Sequence, residues 1–457
     1  MTDAKACNYC FDYTKTMMMK LGLAFPDRKG GSTVINTFAD ALEIIKRIDS
    51  ITLSMPKIIY LVGWQYNGHD DKYPDFFEVN EALRLPGKSP LDSLLWLIEE
   101  AKKYHTTVSV HINFNDAYEN APSFERFIKA NALIRNKHGM PAAIENYNGL
   151  KCYKTSFVEY WESGLFKEMF DRLLTVLPLE ELKTVHVDNF QCYKNFQPYI
   201  SIREMQQARK KMIEYVRSKG IDITSEFTYR EHGKMPNKPP FEMRGSLHST
   251  KAPIDILGQI PAVWWCSNIT KKELLEVAPQ EFCGGIFSKK SFRNYLYGNM
   301  HGEDIFAKFN DKSSDWEKEF INEFALTQLP FQFLCNHRKL EFGGGLINEY
   351  CIFECNIISC SKNKKITVNG NTVKEKDTIF LPLLHLKDTY IAYSRNGSVR
   401  TWDIPSAGYT NAQISIYDSG EYKFLRKQQI KNSKLELKLA AGTMLLIRFG
   451  NDEKRLR

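Results

Sequence analysis

Two carboxylates in this sequence fall where a strand would open onto a cleft. Asp188 follows the alternating Val185 and Val187 in Thr184–Phe190 (TVHVDNF), and Glu226 follows Ile221 and Ile223 in Ile221–Phe227 (IDITSEF). Each therefore sits toward the mouth of an alternating, strand-like run. From 188 to 226 is 38 positions, the length of one strand–helix–strand step. On adjacent parallel strands, two carboxyl groups so placed overlook one cleft. That arrangement suits hydrolysis of a glycosidic bond with retention, which needs the pair about 5–5.5 Å apart. One group stays ionised to attack the anomeric carbon, while the other keeps its proton for the departing oxygen. The plainer reading makes both ordinary strand-end carboxylates that cap helices or pair with lysines. Their matched positions on successive strands weigh against it.

Several residues near other strand ends suit a sugar. Gly63–Asp70 reads GWQYNGHD, with Trp64 and Gln65 closing a strand and Asp70 beyond a Gly-containing turn. An indole face packs on the C–H face of a sugar, and Gln and Asp side chains bind hydroxyls. His111, Asn113 and Asp116 (HINFND) bring further polar groups to the next strand end, with His111 and Asn113 on one side of the strand. Trp264 and Trp265 read either as a pocket wall or as core. Cys7-x-x-Cys10 is the one spacing that suggests metal or redox chemistry, but no second pair follows at finger spacing, so no metal site and no cofactor is expected.

These residues need strands and helices to hold them. Buried strands are predicted at Lys57–Trp64, Thr107–Phe114, Thr184–Phe190, Ile221–Phe227, Pro261–Cys266 and Cys283–Phe287. Helices are predicted near Phe38–Ile48, from Ser89-Pro90-Leu91-Asp92 onward, over Phe157–Val176 and over Ile202–Ser218. Ser89 supplies an N-cap, with Pro90 at the first helical position. Such alternation predicts an α/β fold, an irregular (β/α)8 barrel whose polar residues gather at the C-terminal strand ends. The rival, a doubly wound open sheet, would normally show a Gly-rich phosphate loop after an early strand, and none is present. After about residue 336 short strands alternate with Asn-Gly turns, at Asn369-Gly370 and Asn396-Gly397, which predicts an antiparallel β-sandwich. The expected division is an N-terminal segment 1–55 packing on the barrel, a barrel over 56–335 and a sandwich over 336–457.

Composition narrows the classes. The 457 residues are 43% hydrophobic, 13% aromatic and 25% charged, which suits a globular chain and excludes a disordered or fibrous one. No run of about 18 apolar residues predicts a membrane helix, and the polar start (MTDAKACNYC) does not read as a secretory signal. A cytoplasmic location is expected, and the ten cysteines read as free thiols. The net charge of +8 falls wholly after Asn336, where 20 Lys and Arg face 12 Asp and Glu. A neutral body with a mildly basic end is a poor footprint for nucleic acid. Oligomeric state is not legible.

Taken together, GWQYNGHD, HINFNDAY from His111, VHVDNF, SEF around Glu226 and YGNMHGED from Tyr297 resemble the endo-α-N-acetylgalactosaminidases of glycoside hydrolase family 101. They are similar also to the α-N-acetylgalactosaminidases of family 129. The resemblance runs from about residue 57 to 335. It implies a retaining α-glycosidase acting on mucin-type O-glycans, with a barrel followed by a β-sandwich. Position by position, Asp188 matches the nucleophile, Glu226 the general acid/base and Asp70 a residue that grips the terminal sugar's hydroxyls. Trp64, Gln65, His111 and Asn113 match pocket positions. The sequence departs from the family in lacking its added modules, and in carrying Asn189-Phe190 where a Trp-containing turn is expected. Exo action on α-linked GalNAc is therefore preferred over endo release of a disaccharide. An α-galactosidase with the same carboxylates and a non-catalytic glycan-binding protein are the alternatives.

Overall fold

The computed structural model describes residues 9–27, 29–147, 149–188, 190, 192–227, 262–265, 297, 302–344, 348, 350–404 and 408–450. Of residues 144–147, 226, 227, 262–265 and 342 it describes the backbone alone.

Strand alternation divides the central sheet into two unlike faces. Its strands are β1 (Met17–Gly22), β2 (Lys57–Val62), β3 (Thr106–Asn113), β4 (Thr184–Asp188), β5 (Asp222–Phe227) and β6 (Ala262–Trp265). They pair in that order and every neighbouring pair is parallel. On the outer face Met17, Met19, Leu21, Ile59, Leu61, Val108, Val110, Ile112, Val185 and Val187 join the main hydrophobic core. Four crossover helices cover that face: α1 (Phe38–Thr52), α2 (Pro90–Lys102), α3 (Leu165–Val176) and α4 (Ile202–Ser218). The inner face carries Lys20, Tyr60, Ser109, His111, Asn113, Thr184, His186, Asp188, Asp222 and Thr224 by the same alternation. The sheet thus buries a polar face as well as an apolar one.

Chain-order pairing winds in one direction, as a barrel does, and lacks the reversal that defines a doubly wound sheet. Six strands are seen among the described residues. The strand expected at Cys283–Phe287 lies outside them, and the closed eight-stranded barrel stays an expectation.

Local signals set the helix boundaries. Ser89 accepts from the Asp92 N–H with Pro90 behind it, and α4 opens with a capping box between Ser201 and Glu204. The helix expected over Phe157–Val176 is two pieces, Phe157–Glu162 and α3, because Ser163-Gly164 intervenes with Gly164 at φ +77°. The N-terminal segment also differs from expectation: it supplies β1 and does not merely pack on the sheet, pairing Met17 with Lys57 through Gly22 with Val62. Three methionines and a lysine carry little β-branched signal, so the run MMMKLG does not announce a strand. Lys20 is only 4% exposed and is held by Glu303 at 3.4 Å, and that partner lies 283 residues away.

The C-terminal region is less symmetrical than a two-sheet sandwich. Ten antiparallel strands form one sheet, and the ribbon of Ser398–Asp403 with Lys434–Leu439 lies over one of its faces. Trp402, Leu435, Leu437 and Leu439 of the ribbon pack there with Phe380, Ala392, Ile414 and Ile447. The opposite face, with Ile379, Leu381, Ile391, Tyr393 and Met444, merges with the main core. Contacts to α1 complete the joint: the Tyr422 hydroxyl donates to Ile51 O at 2.9 Å, and His385 Nε2 lies 2.9 Å from Leu53 O. The edge strand Glu421–Gln429 is exposed, with a bulge where Ser415 and Ile414 meet Phe424 and Arg426. A bulge and flanking Lys423, Arg426 and Lys427 blunt an edge against pairing with other chains.

After β2 the chain makes a tight loop whose backbone lies against Ala24 and Phe25. His69 N donates to Ala24 O at 2.9 Å. A Cβ added to Gly63 (φ +77°) would stand 2.0 Å from Ala24 O, and one on Gly68 (φ +128°) 2.4 Å from the same oxygen. Gly87 has a similar φ of +76°, but nothing lies within 4 Å of its would-be Cβ. Gly87→Ala should therefore cost only backbone strain, about 1–3 kcal/mol. Gly63→Ala should cost clearly more, seen as a larger fall in the denaturant midpoint at equal m-value. Equal losses for the two would show that the close approach to Ala24 is unimportant.

Candidate active site

The inner face is built in layers. At the bottom the Tyr13 hydroxyl donates to Asp222 Oδ2 at 2.9 Å, and Tyr60 and Thr184 hydroxyls lie 2.7 Å apart. With Met18 and Ile58, Tyr13 and Tyr60 form a small apolar plug. Burial pushes both phenols well above their ordinary range, so they stay neutral. Above the plug, parallel register sets His111 beside His186, and His186 beside Thr224. The two imidazoles lie 5.3 Å apart at 33°, and His186 Nδ1 is 2.9 Å from Thr224 Oγ1. His69 from the loop adds a third ring, 5.3 Å from His111 and nearly perpendicular to it.

At the mouth, Asn113 pairs with Asp188. Asp188 Oδ2 is 3.5 Å from Asn113 Nδ2 and 3.9 Å from His111 Nε2, and its side chain keeps 17% of its surface exposed. The register of β4 and β5 runs from Thr184 with Asp222 to Val187 with Ser225. That pairing ends one residue short of Asp188 and of Glu226, and the register of β5 with β6 shifts between Ser225 and Phe227. Of Glu226, as of Trp264 in β6, only the backbone is described.

Asp70 reaches the site through the strained loop. Its φ is +60°, among other positive values at Gly63, Tyr66, Gly68 and Lys72. His69 bridges two groups, with Nδ1 at 2.9 Å from the Tyr73 hydroxyl and Nε2 at 3.5 Å from Asp70 Oδ2. Burial holds the Asp70 carboxyl above the usual carboxylate range. The neighbouring Asp116 adds to the rise, against the opposing pull of His69, Lys154 and the Tyr118 hydroxyl. Burial also raises the Tyr73 phenol, and both Asp70 and Asp188 contribute, which puts the two carboxylates within electrostatic reach of one buried ring.

Beneath Asp188 lies a fully buried polar cluster. Asn113 Nδ2 donates to Asp116 Oδ2 at 2.7 Å, while Asn113 Oδ1 accepts from the backbone N–H groups of Asn115 and Asp116 at 2.7 and 2.9 Å. Asp116 Oδ1 pairs with Lys154 Nζ, their side chains 9% and 3% exposed. Lys154 arrives on the hairpin Ala143–Tyr147/Leu150–Lys154, placed by strand pairing of Asp116 with Lys154. Its ammonium also stands 5.8 Å from the centre of the Tyr193 ring.

Most of the residues singled out in the sequence converge here. Asp188, Asp70, His111 and Asn113 gather at one strand mouth, with accessible surface concentrated on Asp188 and Asp70 and the other two beneath. Trp64 requires a correction. It is 0% exposed, lies over Phe76 with ring centres 6.3 Å apart, and donates from Nε1 to His111 O at 3.0 Å. Its indole is a pillar behind β3, and no face is left for a sugar. Gln65 is wholly buried too, its Nε2 donating to Gly68 O at 2.7 Å to close the loop that carries Asp70. His69, Tyr73, His186 and Lys154 escaped the sequence reading. The i, i+2 spacing of His186 and Asp188 was a usable signal, whereas nothing local marks Lys154. Among the described residues no group of three or more His, Cys, Asp or Glu is arranged to hold a metal, and no helix is long and apolar enough to cross a membrane.

Residues 15–237 match the family model described as endo-alpha-N-acetylgalactosaminidase, that of glycoside hydrolase family 101. The resemblance carried by the motifs holds across that stretch, which begins just before β1 and includes Asp70, Asp188 and Glu226. Similar solved structures include the alpha-N-acetylgalactosaminidase NagBb of Bifidobacterium bifidum in a GalNAc complex, at 12% identity and a TM-score of 0.48, covering 78% of this chain and 58% of that one. The GH36 alpha-galactosidase AgaB of Geobacillus stearothermophilus is 9% identical, with a TM-score of 0.43 over 97% of this chain and 56% of that one. An alpha-amylase of Geobacillus thermoleovorans complexed with acarbose is 9% identical, with a TM-score of 0.46 over 97% and 100%. The chain thus spans under two thirds of the first two proteins.

Because burial disfavours the ionised Asp70 carboxyl, Asp70→Asn should gain melting temperature over the wild type as pH rises through the raised Asp70 pKa. The gain should shrink as pH falls through the raised Asp70 pKa, since the wild-type carboxyl then takes up its proton and loses the penalty. Melting curves of both proteins across pH 4–8 read this directly, and a constant offset at every pH would contradict it.

Proposed function

We propose that this protein is a retaining α-glycoside hydrolase acting on α-linked N-acetylgalactosamine of mucin-type O-glycans, with exo action preferred. The observation that carries the reading is the parallel pairing of β4, which ends at Asp188, with β5, which contains Glu226; a retaining pair calls for two carboxyl groups facing one cleft in this way. The family 101 match over residues 15–237 supports the same chemistry.

In the first step Asp188 Oδ attacks the anomeric carbon as the bond to the glycosidic oxygen breaks, and the Glu226 proton passes to that oxygen. A covalent glycosyl ester on Asp188 results. In the second step Glu226 takes a proton from water, the water oxygen bonds to the anomeric carbon, and the Asp188 ester bond breaks to restore the carboxylate. Asp188 must be ionised to attack, and Asn113 and His111 are placed to favour that form. Asp70 binds sugar hydroxyls, and its cost in the fold is what leaves it ready to accept their hydrogen bonds. Trp264 and Gln65 belong to this proposal as pocket residues without an assigned contact. No metal or organic cofactor takes part in the steps as written.

The carboxylates would serve an α-galactoside equally well, so the alternative is an α-galactosidase with different contacts at the sugar's C2. Aryl α-glycosides of GalNAc, Gal and Galβ1-3GalNAc, followed by NMR of the product anomer, separate these readings. Initial release of the α-anomer of GalNAc is expected, and β-anomer first would rule out retention. Asp188→Asn should lower turnover by several powers of ten while the protein stays folded. Glu226→Gln should spare substrates with activated aryl leaving groups, which need little protonation, far more than natural glycosides. No turnover by the intact protein on any of the three substrates, with binding retained, would favour a glycan-binding protein.

A further inference from the structure

The buried Lys154–Asp116 pair lies one residue removed from the attacking carboxylate and takes no part in the steps above. A buried ion pair is expensive to desolvate, and replacing both partners by apolar groups is often neutral or stabilising, so its retention by the fold calls for a role. Its contacts point to one. Asp116 uses its two oxygens separately: Oδ1 is held by Lys154, and Oδ2 accepts from Asn113 Nδ2 at 2.7 Å. Asn113 Oδ1 is occupied by two backbone N–H groups, which fixes which end of the carboxamide is nitrogen. The same Nδ2 is thereby aimed at Asp188 Oδ2, 3.5 Å away.

We propose that Lys154 and Asp116 are positioning residues for Asp188, acting through the Asn113 carboxamide that they lock. This rests on the reading of Asp188 as nucleophile. The hairpin that delivers Lys154 is an insertion between β3 and the helices before β4, so the orientation of a strand-mouth carboxylate is set by an element outside the sheet. Lys154 compensates the Asp116 charge, and without it an unpaired carboxylate would stand one side chain from Asp188. Other charged or titratable groups near Asp188 are His111 of β3, His186 of its own strand, Glu226 of β5 by register, and His69, Asp70 and Tyr73 of the loop after β2. Lys154 and Asp116 also act on Asp70, in opposite directions, so a loss shared by variants at both positions reports on the relay and not on Asp70.

The test is steady-state kinetics of the full chain on an aryl α-GalNAc glycoside across pH, with folding checked by circular dichroism. Lys154→Met should lower kcat by about tenfold or more with KM changed little, and should move the acidic limb of kcat/KM upward by about one pH unit, the shift equivalent to a tenfold change in the ionisation equilibrium. Lys154→Arg should recover most of both effects. A folded Lys154→Met protein with wild-type kcat and an unmoved acidic limb would overturn the proposal. If Lys154→Met does not fold, Asp116→Asn takes its place: lowered kcat at near-normal KM supports the relay, and unchanged kinetics overturn it. Asp188→Asn distinguishes the two failures. If it keeps full turnover, the nucleophile reading falls and the relay with it; if it is inactive while Lys154→Met is unaffected, the relay alone falls.

Discussion

The parallel register that sets Asn113 beside Asp188 is the constraint on which the site depends. It is a backbone fact, fixed by ladder hydrogen bonds, and a slip of one residue would turn every inner side chain outward. The same ladder stacks His111 on the level of His186 and pairs Val187 with Ser225, the residues just before Asp188 and Glu226. Because outer-face residues such as Val185, Val187, Val110 and Ile112 are buried against the crossover helices, a slip would also expose them to the polar interior. Core burial and site geometry are therefore enforced by one register.

Filling the interior of a sheet with polar groups has a cost, and the molecule meets it in three different ways. At the bottom, Tyr13 and the Cys10 backbone N–H donate to Asp222, while Tyr60 and Thr184 pair through their hydroxyls. Below the mouth, Asn113 divides its two ends between backbone N–H groups and Asp116, whose charge Lys154 compensates. At the mouth itself burial holds Asp70 above its ordinary pKa, and Asp188 lies 3.5 Å from Asn113 Nδ2 and 3.9 Å from His111 Nε2.

The supports of the site are as telling as its members. Trp64 has the residue type of a sugar platform but the position of a pillar, with its indole N–H spent on the His111 carbonyl. The loop after β2 lies so close to Ala24 that glycine is needed at 63 and 68, and β1, which holds Ala24 in place, is the strand that composition concealed. Asp70 thus depends on an N-terminal segment that looked peripheral.

Alternation, capping signals and turn residues are local properties, and they made much of this protein legible. Five of the six strands, the helix starts at Ser89 and Ser201, the β-rich character after residue 336, and the placement of Asp188 and Glu226 at strand ends all follow from periods and neighbours along the chain. Pairing across long separations is not local. The strand formed by MMMKLG needs Lys57–Val62 to pair with and Glu303 to neutralise Lys20. The break at Gly164 reflects a left-handed turn that the apolar pattern runs straight through. Lys154 reaches Asp116 only because a hairpin registers them. The sequence by itself determined which residue types stand at the strand mouths, since side-chain alternation has a period of two. Only the tertiary structure decided which of them come together and which support the others from behind, because that depends on contacts between residues tens to hundreds of positions apart.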